Sequence, residues 1–116
     1  MQIEIKRIYE GHNDSDGYRI LVDRLWPRGI SKENAMLNEW LKDIAPSSEL
    51  RKWFNHIPER YQEFKDKYII ELNHHIEELR RLKSISKTQK LTLLYSAKDT
   101  TYNQAVVLLE VLNNLS

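Results

Sequence analysis

Residues 18–29 read Tyr-Arg-Ile-Leu-Val-Asp-Arg-Leu-Trp-Pro-Arg-Gly, and the interpretation of the whole chain starts from this stretch. Residues 18–26 are nearly continuous in apolar character, which is typical of a central strand covered on both faces. Residues 23–29 then supply a carboxylate, two guanidinium groups, an indole and a Pro/Gly stop. Because ligand sites of open α/β sheets lie outside the carboxyl ends of strands, the stretch predicts a strand that ends at one wall of an anion pocket.

The segments before this stretch predict another strand and a turn. Residues 3–9 place Ile3, Ile5 and Arg7 on one face, as expected for a strand near a sheet edge. Residues 10–17 are turn-forming types. A helical crossover between parallel strands needs about a dozen residues or more. The short connection therefore predicts that the strands over 3–9 and 18–26 are antiparallel.

Apolar residues at helical spacing dominate the middle of the chain. Ser31 is predicted to cap a helix over 31–44, and Pro46-Ser47 is predicted to begin a short helix. Pro58 fits the first turn of a long helix over 58–82. The supporting stripes are Leu37, Trp40, Leu41, Ile44 for the first helix, Leu50, Trp53, Phe54, Ile57 for the second, and Tyr61, Phe64, Tyr68, Leu72, Ile76, Leu79 for the third.

The last quarter of the chain predicts a strand followed by a helix. Residues 91–95 form a short apolar strand, and Thr101 to Gln104 match a capping box that begins a helix over 101–115. This helix is apolar around most of its girth, so it must be covered on more than one side or form a homodimer interface. The elements together predict an α/β fold, with a small mixed sheet of about three to four strands and four to five helices in one compact domain over 1–116.

Composition excludes several classes of protein. The apolar fraction of 41% and the charged fraction of 30% are those of a soluble globular protein, and the net charge of +1 gives no overall basicity for nucleic acid or an anionic membrane. No apolar run is long enough to span a bilayer, and the chain reads from Met1 directly into a strand, so no signal peptide is expected. The absence of cysteine excludes disulfides and thiolate chemistry and fits the cytoplasm. The adjacent His74 and His75 do not share a helix face, His56 is interpreted as a helix-end residue, and no metal site is predicted.

The strongest candidate site is the end of the predicted strand over 18–26. Arg24 and Arg28 present planar donor groups suited to phosphate or carboxylate, and Asp23 beside them would orient one of them. Trp26 would stack on a ring or hold a guanidinium. The alternative is structural: Asp23 pairs with an arginine to close the sheet end, and Trp26 belongs to the core.

Two further segments could contribute to the same site. Tyr95 to Thr101 connect a strand to a helix N-terminus, a position that favours anions, and Lys98 adds a charge. Ser47 caps a helix and Arg51 follows one turn later, near Asp43. The alternatives are an ordinary turn with good capping, and an N-cap beside a surface arginine. Neither segment has a glycine-rich loop for a nucleotide or adenosyl cofactor, so no cofactor is predicted.

Taken together, these segments resemble the YeaO-like family of small bacterial proteins, within the superfamily of domain of unknown function 488. The resemblance covers nearly the whole chain and implies a compact cytoplasmic α/β domain without specifying an activity. Longer relatives carry a cysteine after the last strand, where this chain has Tyr95-Ser96-Ala97-Lys98, so no thiol chemistry is carried over. The residues that carry the resemblance are Arg7-Ile8-Tyr9, the run 16–29, Ala45-Pro46-Ser47, the run 50–54, the run 93–99, Asn103 and Ala105.

Three functional hypotheses follow. The first is a domain that binds a small anion (phosphate, nucleotide or carboxylate) at the ends of strands 18–26 and 91–95. The second is a hydrolase or transferase that uses Asp23, or else Asp43, as general base in the same pocket. The third is an interaction module for protein or nucleic acid, although the near-neutral charge argues against nucleic acid. The residues expected to line the pocket are Arg7, Asp23, Arg24, Trp26, Arg28, Ser47, Arg51, Tyr95, Lys98 and Asn103.

Overall fold

The centre of the fold is a four-stranded sheet in which every pairing is parallel. The computed structural model describes residues 2–115. Its strands are β1 (Ile3–Arg7), β2 (Tyr18–Leu21), β3 (Glu39–Trp40) and β4 (Leu91–Tyr95), in the spatial order β1-β4-β2-β3. The predicted α/β class and the strand over 91–95 are confirmed, but the predicted mixed sheet and the antiparallel pairing of the first two strands are wrong.

The parallel direction of β1 and β2 has a simple geometric reason. Strand β4 lies between β1 and β2 and pairs with both, with Ile5 opposite Leu93 and Ile20 opposite the same residue on the other side. Strands β1 and β2 therefore run in the same direction on either side of β4. Residues 8–17 must run back along the length of the sheet and step sideways past β4. Ten residues reach roughly 33 Å when extended, whereas the return and the sideways step need only about 17 Å and about 10 Å. A chain this long crosses over without a helix.

Five α-helices surround the sheet: α1 (Lys32–Ala35), α2 (Ser48–Phe54), α3 (Tyr61–Leu72), α4 (Ile76–Thr88) and α5 (Gln104–Asn114). Helices α2 to α5 pack on one face of the sheet and form the main core with Ile20, Leu93 and Tyr95. The other face is covered by loops and α1, which form a smaller core around Leu21 and Leu94. Helix α5 is thus covered from several sides by its own chain, as its apolar girth requires.

Two predicted helices differ from the prediction in length or continuity. The segment 31–44 forms only α1, which Ser31 caps as predicted, and then strand β3 and a 3₁₀ turn over Lys42–Ile44. Its apolar stripe is overridden because the edge of β2 needs partners: the N–H of Asn38 donates to the carbonyl of Arg19, and the N–H of Leu41 donates to that of Leu21. The predicted helix over 58–82 is divided by a 3₁₀ turn at Asn73–His75 into α3 and α4.

The segments next to the candidate site differ from prediction in their boundaries. Strand β2 ends at Leu21 rather than at residue 26, so residues 22–29 form a loop. The first strand likewise ends at Arg7. Helix α5 begins at Gln104 with Asn103 as its N-cap, since the Asn103 side chain accepts from the N–H of Val106, so the predicted cap at Thr101 is wrong. Ser47 caps α2 as predicted.

Candidate functional site

The carboxyl ends of β2 and β4 open into one cavity of about 530 Å³. The loop after β2, the segment before α2, helix α2 itself and the segment that joins β4 to α5 form its walls. A cavity at this position agrees with the rule that ligands of parallel sheets bind beyond the carboxyl ends of the strands. Its lining residues are Asp23, Arg24, Leu25, Pro46, Arg51, Phe54, His56, Phe64, Ser96, Ala97, Lys98, Asp99, Tyr102, Asn103 and Gln104.

Asp23 is the most buried charged group of this cavity, with 7% of its surface exposed. One carboxylate oxygen accepts from the N–H of Ser96 at 2.8 Å, and the other accepts from the side-chain amide of Gln104. The carboxylate therefore joins the end of β2 to the segment after β4 and to the first turn of α5. This arrangement holds the three walls in register, whatever else Asp23 does.

Burial raises the pKa of Asp23 above its usual value, although the hydrogen bonds from Ser96 and Gln104 and the nearby His56 all act in the opposite direction. The native state consequently holds a proton on Asp23 at pH values where the unfolded chain has lost it. Stability contributed by this group falls as the pH rises from the unfolded value toward the raised folded value. At pH values above the raised folded pKa, the ionised carboxylate is a cost to folding.

We expect Asp23→Asn to be as stable as the parent protein at pH 7, or more stable by up to about 1 kcal/mol. The amide oxygen would accept from Ser96, and the amide nitrogen would donate to the Gln104 oxygen after that side chain turns over. The variant should also lack the fall in stability above pH 4 that Asp23 causes. Urea denaturation of both proteins at several pH values measures the difference.

Asp43→Asn serves as the control, because it removes an exposed carboxylate from the 3₁₀ turn before α2. It should follow the parent protein at each pH. If Asp23→Asn loses more than about 2 kcal/mol at pH 7, then the ionised carboxylate is a required partner rather than a buried cost.

Arg51 on α2 has no ionic partner within residues 2–115. Its Nε is buried without a hydrogen-bond partner, and no carboxylate of the described residues lies within ion-pair distance of its guanidinium. A half-buried arginine that lacks an anion is costly, because its desolvation is not offset. The Arg51 side chain is one of those that line the cavity.

Two more cations line the same cavity. Arg24 donates from Nε to the carbonyl of Pro46 at 2.9 Å and from Nη2 to that of Ala45 at 3.1 Å, which fixes its position but does not neutralise its charge. Lys98 is exposed and, like Arg24, makes no ion pair among the described residues. Against these three cations the lining includes the carboxylates of Asp23 and Asp99, so the cavity has an excess of positive charge.

Asp99 makes no ion pair with these cations among the described residues, and its carboxylate is hydrogen-bonded within its own turn. Its carboxylate accepts from the N–H groups of Thr101 and Tyr102, both at 2.9 Å. These two hydrogen bonds hold the pKa of Asp99 below its usual range. Asn103 completes the segment by donating to the carbonyl of Asp99 and capping α5.

Five of the ten predicted residues therefore line the cavity, namely Asp23, Arg24, Arg51, Lys98 and Asn103. Arg7 lies behind its wall, where Nε and Nη2 donate to the carbonyls of Ala97 and Ser96. Tyr95 is buried in the main core, and burial raises the pKa of its hydroxyl.

The other three predicted residues lie elsewhere. Trp26 packs edge-on against Trp40 at 5.2 Å in the smaller core and donates to the carbonyl of Ile30. Arg28 is exposed. Ser47 donates to Glu71 and lines a second, shallower cavity of about 390 Å³. The alternative of a core tryptophan thus describes Trp26, whereas Asp23 forms no ion pair with an arginine among the described residues.

Several lining residues were not anticipated from the sequence. His56 was interpreted as a helix-end residue, and it does follow α2, where Asn55 and His56 both have positive φ angles (47° and 55°), but it also lines the cavity. Gln104 reaches Asp23 from the first turn of α5. From the sequence, Gln104 indicated only a capping role at the start of an apolar helix. Its hydrogen-bond partner, Asp23, lies 81 residues away and could not be inferred from a local pattern.

Within residues 2–115, no group of three or more His, Asp or Glu side chains is close enough to hold a metal ion. None of the helices in this range has the length and apolar character that crossing a bilayer requires.

Comparison with known proteins decides the family. Residues 2–115 match the family model described as "Inactive DUF488-N3 subclade". This chain belongs to that family. The YeaO protein of Escherichia coli K12, described as uncharacterized, is 54% identical over 115 residues, which cover 99% of this chain and 100% of the relative. Rv3073c of Mycobacterium tuberculosis H37Rv, also described as uncharacterized, is 38% identical over 112 residues, which cover 97% of this chain and 94% of the relative. No solved structure matches the chain significantly.

Membership of the DUF488-N3 subclade confirms the resemblance to YeaO-like proteins.

Proposed function

We propose that this protein binds a small anion, such as a phosphate, a nucleotide or a carboxylate, in the cavity at the ends of β2 and β4. Arg51 is the main ligand-binding residue, and Arg24 and Lys98 assist it. The observation that carries the proposal is the Arg51 guanidinium, which lines the cavity with a buried, unpartnered Nε and without an ion-pair partner among residues 2–115.

The cost of burying an unpaired charge supports this proposal. Folding places Arg51 in a half-buried position, and an anion bound there would supply the missing charge and hydrogen-bond acceptors. Arg24 is held in place by two backbone carbonyls, so an anion would meet a pre-organised donor. Lys98 and the first turn of α5 extend the positive potential on the opposite wall.

An enzyme is the second candidate, and one observation favours it: a buried carboxyl with a raised pKa, Asp23, lines the cavity. Two features favour binding instead. Both carboxylate oxygens of Asp23 already accept hydrogen bonds from Ser96 and Gln104, and the name of the family describes it as inactive. Asp43, the other candidate base, is exposed and is not among the lining residues.

Arg51→Leu tests the proposed function. We expect the affinity for inorganic phosphate or sulfate to fall by about 10- to 100-fold, since a hydrogen bond to a charged group contributes about 1.5–3 kcal/mol. The free energy of unfolding without ligand should stay equal or rise, because the substitution removes a buried unpaired donor. Isothermal titration calorimetry and urea denaturation measure the two effects.

Arg80→Leu is the matched control, because Arg80 is an exposed arginine on α4 that does not line the cavity. It should leave both affinity and stability unchanged. The proposal is wrong if the parent protein binds none of these anions, or if Arg51→Leu and Arg80→Leu bind them equally well.

Other expectations from the sequence remain predictions. They are a cytoplasmic location, a homodimer that uses the last helix, and an interaction module for protein or nucleic acid. Because α5 is already packed against its own chain, a dimer would use its partly exposed residues Val106, Leu109 and Val111. Analytical ultracentrifugation decides the oligomeric state.

A further inference from the structure

The lining of the cavity combines two kinds of side chain. The cations Arg24 and Arg51 are one kind. The other kind is apolar, and its residues come from the loop after β2, the segment before α2, helices α2 and α3, and the segment before α5. These apolar lining residues are Leu25, Pro46, Phe54, Phe64, Ala97 and Tyr102.

Two of these apolar residues are left open to solvent. Leu25 is 58% exposed and Tyr102 is 42% exposed, although most large hydrophobic side chains of residues 2–115 are well covered. They lie on different loops, one after β2 and one before α5, yet both line the same cavity. Behind them, Phe54 and Phe64 stack with ring centroids 4.3 Å apart and form a rigid apolar wall. An apolar group placed here would remove Leu25 and Tyr102 from water.

The volume of the cavity leads to the same conclusion. A water molecule occupies about 30 Å³ in the liquid, so a cavity of about 530 Å³ is far larger than a phosphate or acetate ion. A bare anion would leave most of the apolar wall in contact with water. Cavities of about 300–1,000 Å³ with mostly apolar walls and few charged groups are typical of sites for organic molecules.

We propose that the ligand is an amphipathic anion: one phosphate or carboxylate bound to Arg51 and Arg24, joined to an aryl or similarly flat apolar group that packs against Leu25 and Tyr102. This inference rests on the proposed anion binding and adds the apolar part of the ligand. The two parts act together because the cations fix the charged end while burial of the apolar end supplies further affinity.

Matched pairs of small probes test the apolar part separately from the anion. By calorimetry, we expect phenyl phosphate to bind at least tenfold more tightly than methyl phosphate, or benzoate at least tenfold more tightly than acetate. Whichever pair shows binding identifies the anionic group. Benzyl alcohol, which has the ring without the charge, should bind much more weakly than either aryl anion.

Two variants that truncate similarly exposed side chains show whether the affinity gained from the aryl group arises in the cavity. Leu25→Ala should weaken the preferred aryl anion about three- to tenfold and leave its methyl counterpart unchanged. Met36→Ala, which truncates a residue that is 52% exposed but outside the cavity, should change neither.

The outcomes separate the two proposals. If methyl phosphate or acetate binds through Arg51 but the aryl probes gain nothing, the amphipathic ligand is wrong and anion binding stands. An aryl gain that survives Leu25→Ala and is equally present in Met36→Ala also overturns the inference, because the ring then binds elsewhere. If no anion binds at millimolar concentration, both proposals fail.

Discussion

Asp16→Ala should destabilise the protein by about 3–5 kcal/mol, a large share of the total stability of a domain of this size. Asp16 is 4% exposed and forms ion pairs with Lys6 and with Arg19, which is itself only 1% exposed. Its carboxylate also accepts from the N–H of Asn13. Without it, the Arg19 guanidinium stays buried with only the carbonyls of Ala35 and Met36 as partners. The midpoint of urea denaturation measures the loss.

Two further variants show whether the buried charge is the cause. Asp14→Ala changes an exposed carboxylate in the same 3₁₀ turn and should cost less than about 0.5 kcal/mol. The double variant Asp16→Ala/Arg19→Met should be less destabilised than the sum of its single variants, since it removes both charges together. A fully additive double variant would contradict this explanation.

The same carboxylate predicts a dependence of stability on pH. Burial alone would raise the pKa of Asp16, but hydrogen bonds from Lys6, the Asn13 N–H and Arg19 outweigh it, so the pKa lies below its usual value. The stabilisation is therefore present above the unfolded value and is lost as the pH falls through the folded value. This direction is opposite to that of Asp23, and comparison of Asp16→Ala with Asp23→Asn below neutral pH separates the two groups.

Gly17→Ala should also be strongly destabilising, by about 1–3 kcal/mol from backbone strain and about as much again from steric overlap. Gly17 has φ +68°, which an L side chain rarely adopts, and a Cβ there would overlap with the carbonyl oxygen of Lys90. That carbonyl accepts from the N–H of Tyr18 where β2 begins to pair with β4. The substitution therefore disturbs the first rung of the central strand pair.

Gly11→Ala isolates the contribution of the overlap. Gly11 has a similar φ of +81°, but no atom lies within 4 Å of a Cβ placed there. It should lose only the strain term, about 1–3 kcal/mol. Thermal denaturation of the two variants measures the difference, and equal melting temperatures would show that Lys90 moves aside at no cost.

Asp16 and Gly17 also bear on the position of the cavity. The cluster of Lys6, Asp16 and Arg19 and the close contact at Gly17 fix the entry of β2 beside β4. The exits of the same two strands then carry Asp23 and Ser96, which are joined by a hydrogen bond of 2.8 Å. A rigid strand pair thus places the buried carboxylate, Arg24 and the segment before α5 around one space, with Arg51 provided by α2.

Features that depend on neighbouring residues could be predicted from the amino-acid sequence. The apolar run over 91–95, the caps at Ser31 and Ser47, and the change from apolar to charged residues at Asp23 are all local patterns, and they placed a candidate site at the ends of two strands. The helix predicted from apolar spacing is wrong at Trp40, which lies in strand β3. The same apolar positions also suit an edge strand when a neighbouring strand needs hydrogen-bond partners. That need is not visible in a local pattern.

Which of the charged residues lie close together depends on how the elements pack in three dimensions. Arg24, Arg51 and Lys98 converge on one cavity, while Arg7 and Arg28, similar in sequence character, lie outside it. The insertion of β4 between β1 and β2 makes the sheet parallel and brings Gln104 to Asp23 across 81 positions of the chain. The physical reason is that strand pairing and burial are set by contacts between residues far apart in sequence, whereas periodicity, capping and turn chemistry act within a few residues of one another.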